Sequence, residues 1–434
     1  MSISDRAERP APRDYELDST FIQRPHHTDP RRLYSQTSTD WQQRVDHDRL
    51  RRDRLTRARA AMDAHDLGGL IMFVGENIRY VTGTFQGNWK HNIFIRYAVL
   101  PRDGDPYLFE TVGSDFECAK LDAPWLNGNI RPAFTWRWAE GAEEMMVGRM
   151  ADSVVEVLRD AGVEKERIGI DTADMSSMAA FTERGLELVN AWPALSQARR
   201  VKTPDEIELL KISSALGDAA MWKIENEWLK PGVREADITA KVNEFFYAEG
   251  ADFVYDIICA SGGNTSPYRR WHTDKLIRQG DLVIVDINAV GPGGYFIDFV
   301  RCFLVDAEPT DEIKRLYREC HDSLHEALQE LRPGNTTADV AARFPEYDDD
   351  RYGSVSLQQF AHSIGLSLYE GMWVSRAYSL DYPAPLEENM YFAIETFAGH
   401  PGLQQTVRLE QNVLVGPDGP VIFTLYPMDR RMFT

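Results

Sequence analysis

The chain has 434 residues, more than one hydrophobic core usually serves, so two domains are expected. Hydrophobic residues make up 43% and charged residues 27%, an ordinary globular balance, while 68 acidic against 48 basic residues give a net charge of −20. That field repels nucleic acid and anionic lipid, and no apolar run approaches the ~20 residues that span a bilayer.

Residues 1–45 are polar, carry Pro10, Pro12, Pro25 and Pro30, and show little periodicity. They read as an extended arm, either disordered or strapped over a partner subunit. The opening Met-Ser-Ile-Ser-Asp-Arg lacks the apolar stretch of a signal peptide, so a soluble cytoplasmic protein is expected. Residues 46–198 alternate helical and strand patterns. Leu50 to His65 has amphipathic helical spacing, and Leu67-Gly-Gly-Leu-Ile-Met-Phe-Val reads as a buried strand. Arg96-Tyr-Ala-Val-Leu-Pro and Pro106-Tyr-Leu-Phe-Glu flank an Asp-Gly turn as a hairpin, Val154 to Ala161 is helical, and Arg167-Ile-Gly-Ile-Asp is a further strand. This is an α/β domain.

Arg199-Arg-Val-Lys-Thr-Pro-Asp-Glu-Ile opens the second domain, residues 199–434. Thr203 is placed to cap a helix, with Pro204 at its first position and Glu206 closing a capping box. That helix should run through Trp222 and Trp228. Leu229-Lys-Pro-Gly and Leu331-Arg-Pro-Gly each end a helix and precede a polar-capped one, which suggests two related α+β halves with a site between them. Cys118, Cys259, Cys302 and Cys320 are scattered without a CxxC pair and read as free thiols in a reducing compartment.

The chemistry is carried by acids set in apolar strands. Asp286 and Asp298 flank Gly291-Pro-Gly-Gly294, each six positions from Pro292, so a hairpin is expected to set them roughly opposite one another. Glu395, ending Tyr391-Phe-Ala-Ile-Glu, and Glu410, in Thr406-Val-Arg-Leu-Glu, flank a loop containing His400-Pro401 in the same manner. His362 lies between the hairpins in an apolar setting, and Arg408 shares the face of Glu410. Acids are almost never buried unless paired, and Arg301 and Arg408 are the cations at hand. Four carboxylates and one imidazole suit Mn²⁺, Fe²⁺ or Co²⁺, with Zn²⁺ also admissible. Two ions about 3.5–4 Å apart would activate a bridging water and polarise a carbonyl.

The order Asp, Asp, His, Glu, Glu resembles the creatinase, prolidase and methionine-aminopeptidase ("pita-bread") family. The resemblance covers about residues 50–425 and includes the Arg199 boundary segment, Ser261-Gly-Gly-Asn264, Gly280-Asp281 and Arg408-Leu-Glu410. It implies an α/β N-terminal domain, an α+β pita-bread C-terminal domain, and a homodimer whose N-terminal domain reaches the partner's active site. It further implies that Asp286 chelates one metal, His362 and Glu395 the other, and that Asp298 and Glu410 bridge.

Other positions depart from the family pattern. Asp286 and Asp298 are twelve residues apart, one more than in most of its peptidases, and Asn288 takes a glycine-like position. A peptidase histidine expected after the Ser-Gly-x-Asn stretch is replaced by Pro267-Tyr268, with His272 four residues after Tyr268. A second, seven residues after the metal histidine, is replaced by Tyr369. The Asp–Asp spacing and the aromatic after Pro267 are similar to the dimethylsulfoniopropionate lyases of this family, whose acidic base sits six residues after the metal histidine. This chain has Leu368 there, and Ser363 in place of the glycine after His362.

Tyr268, Trp271, His272 and Tyr369 read either as packing residues or as an aromatic surround able to cage an onium cation. Asn88-Trp89-Lys90-His91 reads as a solvated loop or as one closing over a partner's site, and Arg408 as a group that orients a ligand or binds a substrate carboxylate. The expected protein is a dinuclear-metal hydrolase cleaving a C–N bond in a small polar or zwitterionic substrate. Tyr268, His272, Tyr369 and Arg408 are its candidate catalytic residues, and Glu395, a tyrosine or a histidine moves the protons. The alternatives are a β-eliminating C–S lyase and a non-catalytic pita-bread binding protein, the latter disfavoured by five intact ligands.

Overall fold

A computed structural model describes residues 44–85, 92–126, 128–346, 359–399 and 402–433. Asn88-Trp89-Lys90-His91, His400-Pro401 and the arm up to residue 43 lie outside the described residues. The chain divides into two compact units, Met1–Asn190 and Ala191–Thr434.

In the first unit, helix α1 (His47–Ala64) precedes β1 (Gly69–Met72), α2 (Gly75–Thr82) and the antiparallel pair β2 (Tyr97–Pro101) and β3 (Tyr107–Glu110). Then come α3 (Ser114–Asp122), β4 (Ile130–Pro132), α4 (Glu143–Asp160), β5 (Arg167–Ile170), α5 (Met175–Glu183) and β6 (Glu187–Asn190). One mixed sheet results, in the order β4-β3-β2-β1-β5-β6. Its inner strands β1, β2, β3 and β5 are short, largely apolar and buried runs, as a sheet covered on both faces requires. Val154, Leu158 and Phe181 from the helices pack on Ile71, Val99 and Ile168 from the strands.

The second unit opens with α6 (Trp192–Arg200) and α7 (Pro204–Lys223). Thr203 caps α7 with Glu206 in a reciprocal capping box, and a π-helical turn over Ile224–Trp228 carries the helix to Trp228. Arg199 belongs with this unit because Glu370 holds it there at 2.6 Å. Helix α8 (Glu235–Ala248) leads into the antiparallel strands β7 (Phe253–Ser261), β8 (Leu282–Val290) and β9 (Phe296–Leu304). Helices α9 (Asp311–Leu328) and α10 (Thr337–Ala341) precede β10 (Ala361–Ser363), β11 (Trp373–Val374), β12 (Tyr391–Ala398), β13 (Val407–Gly416) and β14 (Gly419–Ile422). These five form a second antiparallel sheet, ordered β11-β10-β12-β13-β14.

The Leu-x-Pro-Gly repeat is structural. Gly232 N donates to Ile277 O at 2.8 Å and Ile277 N returns to Val233 O; Gly334 N donates to Leu386 O and Leu386 N returns to Asn335 O. The following helices carry matching caps, Asp237 on Arg234 N and Asp339 on Thr336 N. Each half therefore turns at the same point onto its own helix.

Alternation along the strands then sets which side chains meet. Odd residues of β8 and β9, such as Val285, Ile287 and Phe299, pack on Met221, Val242 and Phe246 of α7 and α8. Phe392, Ile394, Leu409 and Val413 of β12 and β13 pack on Leu316, Cys320 and Leu324 of α9. The remaining face of each strand, which carries the acids, is also buried: all nine positions of β8 and all nine of β9 are. All four cysteines are free. No helix among the described residues is long and apolar enough to cross a membrane.

Candidate metal centre

The two carboxylate hairpins differ in register. Glu395 of β12 pairs directly with Glu410 of β13. Asp286 and Asp298 are not opposite one another: Asp298 pairs with Asn288, and Asp286 with Val300. The expected centre at Pro292 is off by one residue. Gly291 N donates to Tyr295 O at 2.9 Å, which closes a turn of Pro292-Gly293-Gly294 centred on Gly293. Gly293 and Gly294 both have positive φ, 87° and 91°, which glycine adopts without steric cost. The acids remain on one face but diagonally related.

The two ligand strands β9 and β13 are joined by side chains. Asp298 N donates to Asn412 Oδ1 at 3.4 Å. Arg301 donates to Glu410 O at 2.7 Å and to Tyr426 O at 2.7 Å. Arg301 therefore does not neutralise the acids, contrary to expectation; it bolts β9 to β13 through backbone carbonyls. The cation that does pair with an acid is Arg408, in close contact with Glu395.

With the strands so joined, one ligand atom each from Asp298, His362 and Glu410 lies within 4.8 Å of the others. His362 Nε2 is 3.1 Å from Asp298 Oδ2. Asp286 accepts from Asn288 Nδ2 at 2.7 Å and from the Tyr268 hydroxyl at 3.1 Å. All five residues are at most 6% exposed.

The charge balance of the cluster is abnormal. Burial pushes Asp286 up to about 7, with the Asp298 charge adding to the shift and Arg408 and Arg270 opposing it. Burial raises Glu410 well above the usual carboxylate range, reinforced by Asp298 and Asp286. Neither Glu410 oxygen has a hydrogen-bond partner among the described residues, although an unmet buried polar group costs about 1–3 kcal/mol and a charged one more. A buried carboxylate with both oxygens unmet, facing an aspartate and an imidazole, fits a cation ligand. Four oxygen-bearing acids and one nitrogen match the donor set of a divalent transition metal.

Around this cluster the candidate residues separate. Tyr268 lies under Arg408, whose guanidinium carbon is 4.9 Å from the ring centroid. Burial and the Asp286 charge push its hydroxyl well above the ordinary tyrosine value, so it stays a proton donor. Tyr369 stacks edge-on to His362 at 4.6 Å and to Trp373 at 5.2 Å. Its hydroxyl is likewise raised by burial and by Asp298, and it makes no hydrogen bond among the described residues. Trp271 and His272 are exposed, and no hydrogen bond links His272 to the cluster.

Four contributors escaped the sequence reading. Asn412 lies two residues beyond Glu410 on the same face, so period-2 alternation pointed to it. Glu235 gathers Ser261, Asn264 and Thr273 with hydrogen bonds of 2.6–3.2 Å, fixing both ends of the loop that carries Tyr268. Glu370 locks the turn after His362 by accepting from Leu366 N at 2.7 Å while pairing with Arg199 and Lys202. Arg270 is an exposed cation two residues after Tyr268 whose charge opposes the upward shift of Asp286, hidden in the sequence beside Arg269.

Comparison with known proteins agrees with this geometry. Residues 54–201 match the creatinase/prolidase N-terminal domain, and residues 208–417 match metallopeptidase family M24. A probable dipeptidase PepE of Mycobacterium tuberculosis is 30% identical over 384 residues, covering 85% of this chain and 92% of the relative. A dimethylsulfoniopropionate lyase DddP of Roseovarius nubinhibens is 25% identical over 400 residues, covering 88% and 87%. The crystal structure of dipeptidase PepE from Mycobacterium ulcerans superposes with a TM-score of 0.71 at 25% identity, covering 89% of this chain and 98% of that one. Fold and site together define a metal-dependent hydrolase. The chain belongs to metallopeptidase family M24, with the pita-bread fold and a creatinase/prolidase N-terminal domain.

Proposed function

We propose that this chain is a dinuclear-metal hydrolase cleaving a C–N bond in a small polar or zwitterionic compound, in the manner of the prolidases and creatinases. The observation that carries the reading is Glu410, fully buried with both oxygens unmet, facing Asp298 and His362. The dipeptidase names of the mycobacterial relatives support C–N hydrolysis. Two divalent ions of the Mn, Fe, Co or Zn class, when bound, would supply Lewis acidity toward a carbonyl oxygen and a lowered pKa for water. Asp286, Asp298, His362, Glu395 and Glu410 would hold them.

The rest of the chemistry belongs to the side chains. Asn288 and Tyr268 orient Asp286, and Arg408 orients Glu395. Tyr369 presents a neutral O–H to the oxyanion that develops as water adds to the carbonyl.

A second reading, β-elimination, is favoured by one observation, the likeness to DddP. Against it, Leu368 is a buried aliphatic side chain where that branch is expected to carry its base. The next acid, Glu370, is taken up by Arg199 and Lys202.

Elemental analysis of protein prepared without chelator should find about two transition-metal ions per chain. The Mn²⁺-loaded protein should cleave Gly-Pro and Ala-Pro poorly, because neutral phenols, weaker donors than a protonated imidazole, stand where peptidase histidines are expected, and a full oxyanion donor is typically worth ~10²–10³ in rate. Less than about half an equivalent of metal after reconstitution would remove the basis of the reading. Rapid release of proline would show that the tyrosines do the histidines' work.

A further inference from the structure

Helix α9 carries a pair of histidines that the metal centre does not use. His321 and His325 stand one turn apart in the run His321-Asp322-Ser323-Leu324-His325, so both side chains leave the same face of the helix. Their ring centroids are 3.8 Å apart and the planes are tilted by 30°. Both residues are half-buried, within reach of ions in solvent. His321 also meets the Phe433 ring at 4.5 Å, which accounts for it as a packing residue. No such contact accounts for His325, whose ring meets only that of His321 among the described residues.

Hydrogen bonds decide which nitrogen each ring leaves open. His321 Nδ1 is 2.9 Å from Asp322 Oδ1, and His325 Nδ1 is 2.9 Å from the His321 carbonyl oxygen. A carboxylate and a carbonyl only accept, so both Nδ1 atoms carry a proton and donate it. The lone pair of each neutral ring is then on Nε2, and neither Nε2 makes a hydrogen bond among the described residues. Burial lowers His325 below the ordinary imidazole value; the bond to the His321 carbonyl and the Asp322 charge oppose this, and the His321 and Arg301 charges reinforce it. Its lone pair is therefore available at neutral pH. Metal-bound histidines are oriented in this way, with the second ring nitrogen donating to a carboxylate or carbonyl. Two imidazoles four residues apart on one helix face can reach a single ion, as in the H-E-x-x-H zinc helices. Here Asp322 takes the place of that motif's acid and is spent on holding His321.

We propose that His321 and His325 form a separate site for one nitrogen-preferring divalent ion of the Zn²⁺, Ni²⁺ and Cu²⁺ class, bound through both Nε2 atoms and oriented by Asp322. The donor set distinguishes it from the metal centre. Four carboxylates and one imidazole accept Mn²⁺, whereas imidazoles alone suit zinc, nickel or copper. With two protein ligands against five, the helix site is the weaker one and fills only when the ion is supplied. It does not depend on the hydrolase reading.

The test uses the full-length protein, held in excess Mn²⁺ and dialysed to equilibrium against micromolar Zn²⁺, with both metals counted by elemental analysis. The wild type should take up about one more Zn²⁺ per chain than His321→Gln or His325→Gln, and the double variant should lose no more than either single one. Zinc that enters the metal centre is common to all samples and cancels in that difference. Mn²⁺ content and melting temperature should match throughout, which separates loss of the site from loss of the fold. Asp322→Asn should bind the same Zn²⁺ about 10- to 100-fold more weakly. With Cu²⁺ as the probe, electron paramagnetic resonance should show coupling to two nitrogens, which the single imidazole of the metal centre cannot supply. Equal zinc counts in the wild type and both single variants would overturn the proposal. So would a loss confined to one of the two, undiminished affinity in Asp322→Asn, or a copper signal with one nitrogen.

Discussion

Replacing Glu370 by glutamine leaves shape nearly unchanged and removes one charge from a buried triad. Arg199, Lys202 and Glu370 are at most 3% exposed, and Glu370 is the acid both cations share. Burial alone would raise the Glu370 carboxyl; Lys202 and Arg199 outweigh it and hold it at about 2 instead of its ordinary 4.5. At about 1.36 kcal/mol per pH unit, that difference corresponds to on the order of 3 kcal/mol. Removing one member of a buried ion pair costs about 3–5 kcal/mol in other proteins, so the two routes agree. For a unit of this size each kcal/mol moves Tm by about 2–4 °C, and Glu370→Gln should melt roughly 10 °C lower by calorimetry at pH 7. The carboxyl is depressed, so its contribution is complete above about pH 4.5 and lost as pH falls through about 2. The gap between wild type and variant should therefore narrow on acidification. Lys202→Met added to Glu370→Gln should recover part of the loss, since it removes a stranded cation. A Tm within about 2 °C of wild type at pH 7, or a gap independent of pH, would refute the reasoning.

Asp298→Ala and Glu410→Ala should each empty the site of both metals, whereas His362→Ala should retain about one; equal losses in all three would dismiss the bridging roles. After chelation, the folded state holds protons on Asp286 and Glu410 that the unfolded chain releases near pH 4, because both carboxyls are raised. The metal-free protein should thus gain stability as pH falls from about 8 toward 5, and excess Mn²⁺ should flatten that slope. Thermal melts with and without metal decide it, and a metal-free slope of the opposite sign counts against proton binding in the cluster.

Features fixed by neighbours in sequence were legible; those fixed by distant partners were not. The Thr203–Glu206 cap, the β2–β3 hairpin and the direct Glu395–Glu410 pairing follow from short-range pattern. The Asp286–Asp298 offset hung on which residue of Gly-Pro-Gly-Gly centres the turn, a choice that composition leaves open. Arg301 looked like a counter-ion because it follows Asp298 on the same strand, yet its partners are carbonyls 109 and 125 residues away. Glu370 resembled any solvated acid, since its cations come from the start of the second unit, 168 and 171 residues earlier.

The seam bolted by Arg301 and Asn412 has a thermodynamic consequence. Asp298 comes from one repeat of the second unit and His362 and Glu410 from the other, so the cluster exists only while β9 and β13 stay together. An ion bound there must tighten the junction of the repeats by as much free energy as the closed junction adds to its own affinity. Release of the ion and parting of the strands are one linked equilibrium. A mutation deep in the seam, far from any substrate, would therefore show itself first as a weaker grip on metal.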